Sequence, residues 1–203
     1  MSGKKVLLVL SILMLVGGVS AYAAPAVEVN GDLYLSGTGT ISFPDGLTQI
    51  TAACRYEDNG DGTITDCRTG RIWLKDANCA GAKTWDSAVA WAGALASGIC
   101  GLTDGSIAGA WRLPTRLEWM TMVAFAKNRH YSPALTDAAG TAQWTSGNPF
   151  LNVQSSSGYY YWSSTTSAAS IYSAWAVRMW DGGVLSNFSK SNGYYVWPVR
   201  GGQ

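Results

Sequence analysis

The segment Trp111-Arg112-Leu113-Pro114-Thr115-Arg116-Leu117-Glu118-Trp119 decides the fold. Pro114 favours an extended conformation at Leu113, so a buried strand should end there. Thr115 and Glu118 have the spacing of a capping box, in which each side chain accepts a hydrogen bond from a backbone N–H at the start of a helix. The apolar face of that helix is predicted from the helical spacing of Leu117, Met120, Val123 and Ala124. The segment therefore predicts a strand that leads into a core-forming helix.

Several further motifs occur in series along the chain. They are Asn59 to Asp66 (NGDGTITD), Thr69 to Lys75 (TGRIWLK), Cys100 to Gly105 (CGLTDG), Tyr161 to Thr166 (YWSSTT) and Val199 to Gly202 (VRGG). Together with Trp-Arg-Leu-Pro-Thr-x-x-Glu, they resemble the C-terminal domain family of Legionella collagen-like adhesins over about residues 54–203. The resemblance implies an α+β, C-type-lectin-like fold, with two helices packed on short antiparallel strands. It also implies a binding role and no enzymatic activity.

The N-terminus has the pattern of a cleaved signal peptide, predicted at residues 1–23. Lys4 and Lys5 precede an apolar run from Val6 to Val16, and Ala21-Tyr22-Ala23 provides a small-x-small cleavage site. The apolar run is short for a transmembrane helix. We therefore expect a secreted or cell-surface protein, periplasmic or extracellular, without stable membrane insertion after cleavage.

The charge balance argues against nucleic acid as a partner. Of the 14 basic residues, Lys4 and Lys5 lie in the predicted leader, which leaves 12 against 13 acidic residues, or a net charge of −1. Such a chain has no general attraction for nucleic acid or for acidic membranes. Glycosaminoglycan binding, which the resemblance brings into consideration, would need a basic patch, and this composition offers little.

The four cysteines are Cys54, Cys67, Cys79 and Cys100, and they suit an oxidising compartment. Four cysteines allow three pairings, between which the sequence cannot decide. Proximity favours Cys54–Cys67 and Cys79–Cys100. Zinc is the rival interpretation, but there is no Cys-x-x-Cys and the only histidine is His130.

Residues 24–53 differ from the rest because they contain no tryptophan or cysteine. Val27 to Ile41 reads as short alternating strands separated by glycine turns. Ile41 to Gln49 resembles the stalk segments of fibre-like proteins, which would make the protein a homotrimer. A flexible leader with a hairpin is the alternative. The domain boundaries follow as a stalk or linker at 24–53 and a binding domain at 54–203.

Residues 55–75 predict a β-hairpin with its turn at Asp61-Gly62 and with Ile64, Ile72 and Trp73 facing inward. A calcium loop is excluded, because the position that needs a bidentate carboxylate holds Arg68. We predict no metal site and no cofactor.

Two helices are predicted, and the capped helix after Pro114 is the second. The first is capped by Thr84, stops at Gly98 and runs to about Ser97. Its buried face is predicted from the shared spacing of Trp85, Ala88, Val89, Ala92 and Leu95. His130 lies in a loop-like stretch between Lys127 and Gln154, and we assign it no role.

From Tyr159 to Arg200, short strands alternate with turns at Asp181-Gly182-Gly183 and Ser191-Asn192-Gly193. Alternation places Trp175, Val177 and Met179 on one face and Ala176, Arg178 and Trp180 on the other. We predict Trp162, Trp175 and Trp197 in the core. The remaining side chains are mostly Tyr, Ser, Asn, Gly and Trp, a composition typical of antibody-like binding loops.

This C-terminal segment is therefore the predicted ligand-binding face, for a glycan or a protein. The ligand-binding residues that we predict are Ser170, Tyr172, Ser173, Arg178, Trp180, Asp181, Leu185, Asn187, Phe188, Ser189, Asn192 and Tyr194. The segment also resembles the variable regions of proteins diversified by retroelements, in which adenines of selected codons are randomised. The residues that fit such a mixture are Ser170 to Ser173, Trp180, Asp181, Leu185 to Ser189, Ser191, Asn192, Tyr194 and Tyr195.

Three classes of function follow from these observations. The first is an exported adhesin-like or receptor-like domain, either of fixed specificity or diversified. The second is a structural subunit of an extracellular fibre. An enzyme resembling formylglycine-generating enzymes is the least favoured, because every cysteine lies at or before Cys100 and has a plausible partner. We predict a binding domain that is not an enzyme.

Overall fold

The computed structural model describes residues 54–201, and before them the backbone of four short strands. These strands form two antiparallel pairs, Leu7–Leu8 (β1) with Val27–Glu28 (β2), and Thr40–Ser42 (β3) with Thr48–Ile50 (β4). The chain divides into two units, Met1–Thr51 and Ala52–Gln203. Apart from these strands, the predicted signal peptide and stalk lie outside the described residues.

A four-stranded antiparallel sheet begins the second unit. It contains Tyr56–Asp58 (β5), Thr63–Asp66 (β6), Arg71–Leu74 (β7) and Val199–Arg200 (β13), in the order β13-β7-β6-β5. The predicted turn at Asp61-Gly62 joins β5 to β6, but residues 55–75 form three strands and not a single hairpin. Ile64 and Trp73 are buried as expected, whereas Ile72 is half-buried. The β5–β6 turn depends on Gly62, which has a φ of +86°.

A five-stranded sheet carries the C-terminal segment. It contains Ala82–Lys83 (β8), Tyr161–Ser167 (β9), Ser170–Arg178 (β10), Gly183–Ser189 (β11) and Tyr194–Tyr195 (β12). The strand order is β11-β10-β9-β12-β8, and every pairing is antiparallel except that of β12 with β9. The predicted turns at Asp181-Gly182-Gly183 and Ser191-Asn192-Gly193 lie at the β10–β11 and β11–β12 connections, although Gly183 is already the first residue of β11.

The first helix, Trp85–Ala94 (α1), is shorter than predicted. It starts after Thr84 as expected, but its C-cap is Leu95, in an extended conformation. Residues beyond Leu95 leave the helix because the backbone N–H groups of Ser97 and Gly98 donate to carbonyl oxygens of the following loop. Ala88, Ala92 and Leu95 are buried, whereas Val89 is 41% exposed, so the predicted buried face is only partly correct.

The second helix, Arg116–Asn128 (α2), starts with the predicted capping box. The Thr115 hydroxyl accepts from the backbone N–H of Glu118, and the Glu118 carboxylate accepts from that of Thr115. Its predicted apolar face, however, is wrong except for Val123. Leu117 and Met120 are 61% and 48% exposed, and Ala124 is also exposed, whereas the helix buries Glu118, Trp119, Met122, Val123 and Ala126.

The core is built largely from indole rings. Trp119 lies 5.1 Å from Trp73 and 5.8 Å from Trp197, measured between ring centroids. Each such ring buries on the order of 150–250 Å², which explains how a chain of this length stabilises two small sheets. Trp162 and Trp197 are fully buried, as predicted.

Trp175 is half-buried and not in the core, so that prediction is wrong. Its ring lies under the guanidinium of Arg116, 4.9 Å from the ring centroid. The register of β10 against both of its neighbours shifts between Ala174 and Ala176. Both alanines are buried, and Trp175 between them therefore points away from that side of the sheet.

Two disulfides form, Cys54–Cys67 and Cys79–Cys100. They have the pairing that proximity favours. The first joins the segment before β5 to the end of β6, and the second spans α1 and links the residues on either side of it. The architecture is α+β, as predicted, and is consistent with a C-type-lectin-like fold.

Candidate ligand-binding surface

The predicted ligand-binding residues lie on β10, β11 and the turns beside them, at one edge of the five-stranded sheet, except Tyr194, which lies on β12. The structure brings them together in three groups that differ in burial and in neighbours. The groups are an aromatic cluster, a depression beside the β10–β11 turn, and the opposite end of the hairpin.

The aromatic cluster consists of Tyr160, Phe188 and Tyr194. The ring centroid of Tyr160 lies 4.6 Å from that of Phe188 and 5.4 Å from that of Tyr194. All three rings are half-buried, and Tyr194 also packs 4.7 Å from the buried Trp162. Asn192 donates to the Tyr194 hydroxyl at 3.2 Å. The cluster is a group of packed aromatic rings, each partly exposed to solvent.

Arg178 and Asp181 form an ion pair at the border of this cluster. The Arg178 Nε donates to Asp181 Oδ1 at 3.0 Å, and Nη2 donates to Oδ2. The guanidinium lies 5.9 Å from the ring centroid of Tyr160. The hydrogen bond from Arg178 lowers the pKa of Asp181, although partial burial opposes this. The same carboxylate accepts from the Gly183 backbone N–H at 2.9 Å, so it links Arg178 to the start of β11.

A depression of about 660 Å³ lies between this turn and the end of α2. Trp180, 49% exposed, lines it together with Asp181, and Lys127, His130 and Tyr131 line it from the helix side. The turn approaches the helix so closely that a Cβ at Gly182 would lie 2.9 Å from Ala134 Cβ and 3.2 Å from Lys127 Cβ. The turn that carries Trp180 is therefore packed closely against the end of α2 and the loop after it.

The opposite end of the hairpin exposes two adjacent apolar side chains. Ile171 is 72% and Tyr172 77% exposed. With Ser189, Lys190 and Asp86 they border a cleft of about 440 Å³. Lys190 is fixed there, because its ammonium lies 3.9 Å from a Trp85 ring centroid and donates to Thr166 Oγ1 at 2.9 Å.

The other predicted residues have mixed positions. Ser170 and Ser173 are half-buried on β10, and Leu185 is 41% exposed on β11. Asn187 has a φ of +74° at a register irregularity and accepts a hydrogen bond from Ser167 at 3.1 Å.

Sequence reasoning missed Tyr160, Lys190 and Lys127, and it assigned no role to His130, which also lines the depression. The run Tyr159-Tyr160-Tyr161 carried a usable signal, because alternation along a strand separates Tyr160 from the buried Tyr161. Lys127 and His130 reach the depression through tertiary packing, for which the sequence gives no local signal.

One group of potential metal ligands occurs among residues 54–201. Ligand atoms of Cys54, Glu57 and Cys67 lie within 4.8 Å of one another. The two cysteines form a disulfide, so the thiolates that a zinc site requires are not present.

The fold and the two disulfides together define a disulfide-linked α+β domain of the kind found outside the cytoplasm. The family model of the Lcl C-terminal domain matches residues 62–200, and the chain belongs to that family. It is an adhesin-associated domain family, which agrees with an extracellular or surface protein. No curated protein matches the chain significantly. Among the described residues, no helix has both the length and the apolar character needed to cross a membrane.

Proposed function

We propose that this protein is an exported, adhesin-like domain that binds a glycan or a protein through the β10–β11 hairpin. The observation that carries the proposal is the set of exposed rings on that hairpin. Tyr172 and Trp180 project from its two ends at 77% and 49% exposure. Exposed aromatic side chains on a rigid support are the usual anchors of binding surfaces.

The side chains that pack around these rings favour a role for the hairpin in ligand binding. Tyr160, Phe188 and Tyr194 stabilise the middle of the surface, and the Arg178–Asp181 ion pair joins it to the depression beside Trp180. Pre-organised side chains lose little conformational entropy when a ligand binds. Serine and asparagine side chains between the rings supply hydrogen-bonding groups to either class of ligand.

Alanine variants test the proposal against a panel of immobilised glycans and matrix proteins. For a ligand found with the unaltered protein, Tyr172→Ala and Trp180→Ala should each weaken binding at least about tenfold, as hot-spot residues do. The melting temperature should change by about 2 °C or less for Tyr172→Ala, whose side chain is 77% exposed, and by more for Trp180→Ala, whose side chain is only 49% exposed. Ile107→Ala is the matched control, since Ile107 is 75% exposed and lies outside the hairpin. Unchanged binding by both hairpin variants would refute the proposal.

Phe188 is a poor choice for such a test, although the sequence suggests it. Its ring is half-buried against Tyr160 and Tyr194. Phe188→Ala should therefore lower both affinity and stability, and it cannot separate the two effects.

The homotrimer is part of the same proposal and rests on the stalk-like sequence of residues 24–53. A chain that starts at Cys54 should be folded and monomeric, whereas the chain from Ala24 should be trimeric. Light scattering distinguishes these states. A trimer that persists after truncation would place the association in residues 54–203 instead.

Diversification by a retroelement is proposed for the same hairpin. It is supported by the mixture of residue types from Ser170 to Tyr195. Sequencing the 3′ end of the gene from many cells of one population tests it. Adenine-directed variation beside a near-copy template supports the idea, and an invariant 3′ end rejects it.

The second candidate function is a structural subunit of an extracellular fibre. It is favoured by the position of β11, whose seven residues form an edge of the five-stranded sheet and carry no charge. Such edges can pair with another chain. The irregularity at Asn187 opposes regular pairing. Electron microscopy would distinguish filaments from discrete particles.

A further inference from the structure

Asparagine is chemically labile, most of all where glycine follows it. The backbone nitrogen of the glycine attacks the asparagine Cγ, and glycine has no side chain to hinder the approach. Such pairs occur three times in the sequence, at Asn30-Gly31, Asn59-Gly60 and Asn192-Gly193. The first lies outside the described residues, whereas the structure allows the other two to be compared.

Exposure does not distinguish these two pairs. Asn59, Gly60, Asn192 and Gly193 are all exposed. Water reaches both asparagine side chains, so a difference in reactivity has to come from the hydrogen bonds that hold the side-chain amide and the attacking nitrogen.

Both reacting groups of the first pair are restrained. The Asn59 Nδ2 donates to Thr63 Oγ1 at 2.7 Å and to Thr65 Oγ1 at 3.0 Å, and these bonds hold the amide against β6. The Gly60 N–H donates to Asp58 Oδ1 at 3.1 Å. The nitrogen attacks only after it has lost its proton, and a carboxylate beside it disfavours the resulting negative charge.

The second pair is held less firmly. Among the described residues, the Asn192 side chain makes a single hydrogen bond, in which Nδ2 donates to the Tyr194 hydroxyl at 3.2 Å. The Gly193 N–H has no acceptor in the same part of the chain. Fewer hydrogen bonds therefore have to break before the Gly193 nitrogen can reach Asn192 Cγ.

We infer that Asn192 is a site of spontaneous deamidation in the folded protein and that Asn59 is protected. The Gly193 nitrogen loses its proton and forms a bond to Asn192 Cγ, and the side-chain nitrogen takes up a proton and leaves as ammonia. Water then opens the cyclic imide at either carbonyl carbon, which gives aspartate or isoaspartate. The reaction needs water alone and involves no oxidant.

Either product changes the surface beside the aromatic cluster of Tyr160, Phe188 and Tyr194. A carboxylate replaces the neutral amide that donates to the Tyr194 hydroxyl, and this adds a negative charge. Isoaspartate also adds a carbon atom to the main chain just before β12, which pairs with both β8 and β9. The reaction itself is independent of the proposed function, and only its effect on ligand binding rests on that function.

Peptide mapping by mass spectrometry tests this inference on the full chain, incubated folded and with its disulfides intact. Trypsin places the two sites in separate peptides, residues 56–68 and 191–200. Aspartate and isoaspartate should accumulate at Asn192 at least about tenfold faster than at Asn59, because the Asn59 pair has further hydrogen bonds to break. In the reduced chain unfolded in urea, the two sites should react at similar rates.

Two variants separate the causes. An added Cβ at Gly193 would lie 4.0 Å from Ala82 Cβ, an ordinary contact, so Gly193→Ala should fold normally. Its methyl group should hinder the attack and slow the reaction at Asn192 at least about fivefold. Thr65→Val removes a restraint on Asn59 and should speed the reaction there at least about threefold.

Several outcomes would overturn the inference. Asn192 would have to stay unmodified in the folded chain, react no faster than Asn59, or be unaffected by Gly193→Ala. An Asn59 rate that Thr65→Val leaves unchanged would contradict the protection by hydrogen bonds. A tenfold difference that persists in urea would do the same, because the flanking sequence and not the fold would then be its cause.

Discussion

Glu118→Gln isolates the charge of the carboxylate that joins the N-terminus of α2 to the first sheet. The Glu118 side chain is 5% exposed and accepts from Arg112 Nη2 at 2.6 Å and from Arg71 Nε at 2.7 Å. It also accepts from the Thr115 backbone N–H at 2.6 Å. Glutamine can replace glutamate in a capping box, so the helix cap is kept and the negative charge is lost.

The size of the effect follows from the burial of the partners. Removing one member of a buried ion pair typically costs about 3–5 kcal/mol. The Arg71 and Arg112 side chains are 22% and 45% exposed, so water can solvate them once the carboxylate is neutral. We therefore expect a loss of about 2–3 kcal/mol in the free energy of unfolding. For a domain of this size that corresponds to a melting temperature lower by roughly 4–12 °C.

The pH dependence distinguishes a lost charge from a packing defect. Burial opposes ionisation of Glu118, but the hydrogen bonds from Arg112 and Thr115 and the charges of Arg112 and Arg71 outweigh it and lower its pKa. A lowered folded-state pKa means that the carboxylate stabilises the fold above the ordinary glutamate pKa of about 4.3. This contribution is lost as the pH falls through the lowered value. The gap between the unaltered protein and Glu118→Gln should be full at about pH 7 and close towards about pH 2.

Urea unfolding at the two pH values, with the disulfides intact, measures both quantities. Thr115→Ala is the matched control, because it removes a cap side chain and should cost about 1 kcal/mol with little dependence on pH. A Glu118→Gln protein as stable as the unaltered one at neutral pH would refute this reasoning. So would a deficit of the same size in acid.

Two further predictions concern the loops around this sheet. Gly62→Ala should lower the free energy of unfolding by about 2–4 kcal/mol, measured by urea unfolding. The φ of Gly62 is +86°, and the added Cβ would lie 2.5 Å from the Gly101 carbonyl oxygen. An unchanged unfolding midpoint would contradict this close approach. Replacing Cys79 and Cys100 together by serine should cost about 3 kcal/mol, since the crosslink spans 21 residues, and calorimetry should show it. A double variant that melts with the unaltered protein would mean that the unfolded chain is not restrained by this bond.

Local signals in the sequence predicted local structure well. The sequence signal for the capping box at Thr115 and Glu118 is contained in four consecutive residues, and the signal for the turn at Asp61-Gly62 is contained in two. Both features form through hydrogen bonds and backbone φ angles that involve only residues close in sequence. The disulfide pairing that proximity favours also forms, because cysteines close in sequence meet across a hairpin or a single helix.

The buried face of α2 could not be derived from spacing alone. Helical periodicity is equally compatible with a face that contains Leu117 and one that contains Trp119. Glutamate is normally exposed, so a buried face that includes Glu118 is not expected from the residue types. Its burial becomes favourable only because Arg71 and Arg112 neutralise it, and Arg71 comes from a distant strand. A buried charge is thus predictable only once its partners have been placed.

The proposed binding surface shows that sequence patterns are equally limited for β-strands. Strict alternation predicts the side of each residue only while the register of neighbouring strands is continuous. Between Ala174 and Ala176 the register shifts against both β9 and β11, and Asn187 adopts a φ of +74° opposite that point. Trp175, between two buried alanines, lies on the other side of the sheet, where it packs under Arg116 and not in the core. The residue types of the hairpin were enough to predict that many of its side chains are exposed. The side of the sheet on which each ring lies also depends on the register shifts between β9, β10 and β11.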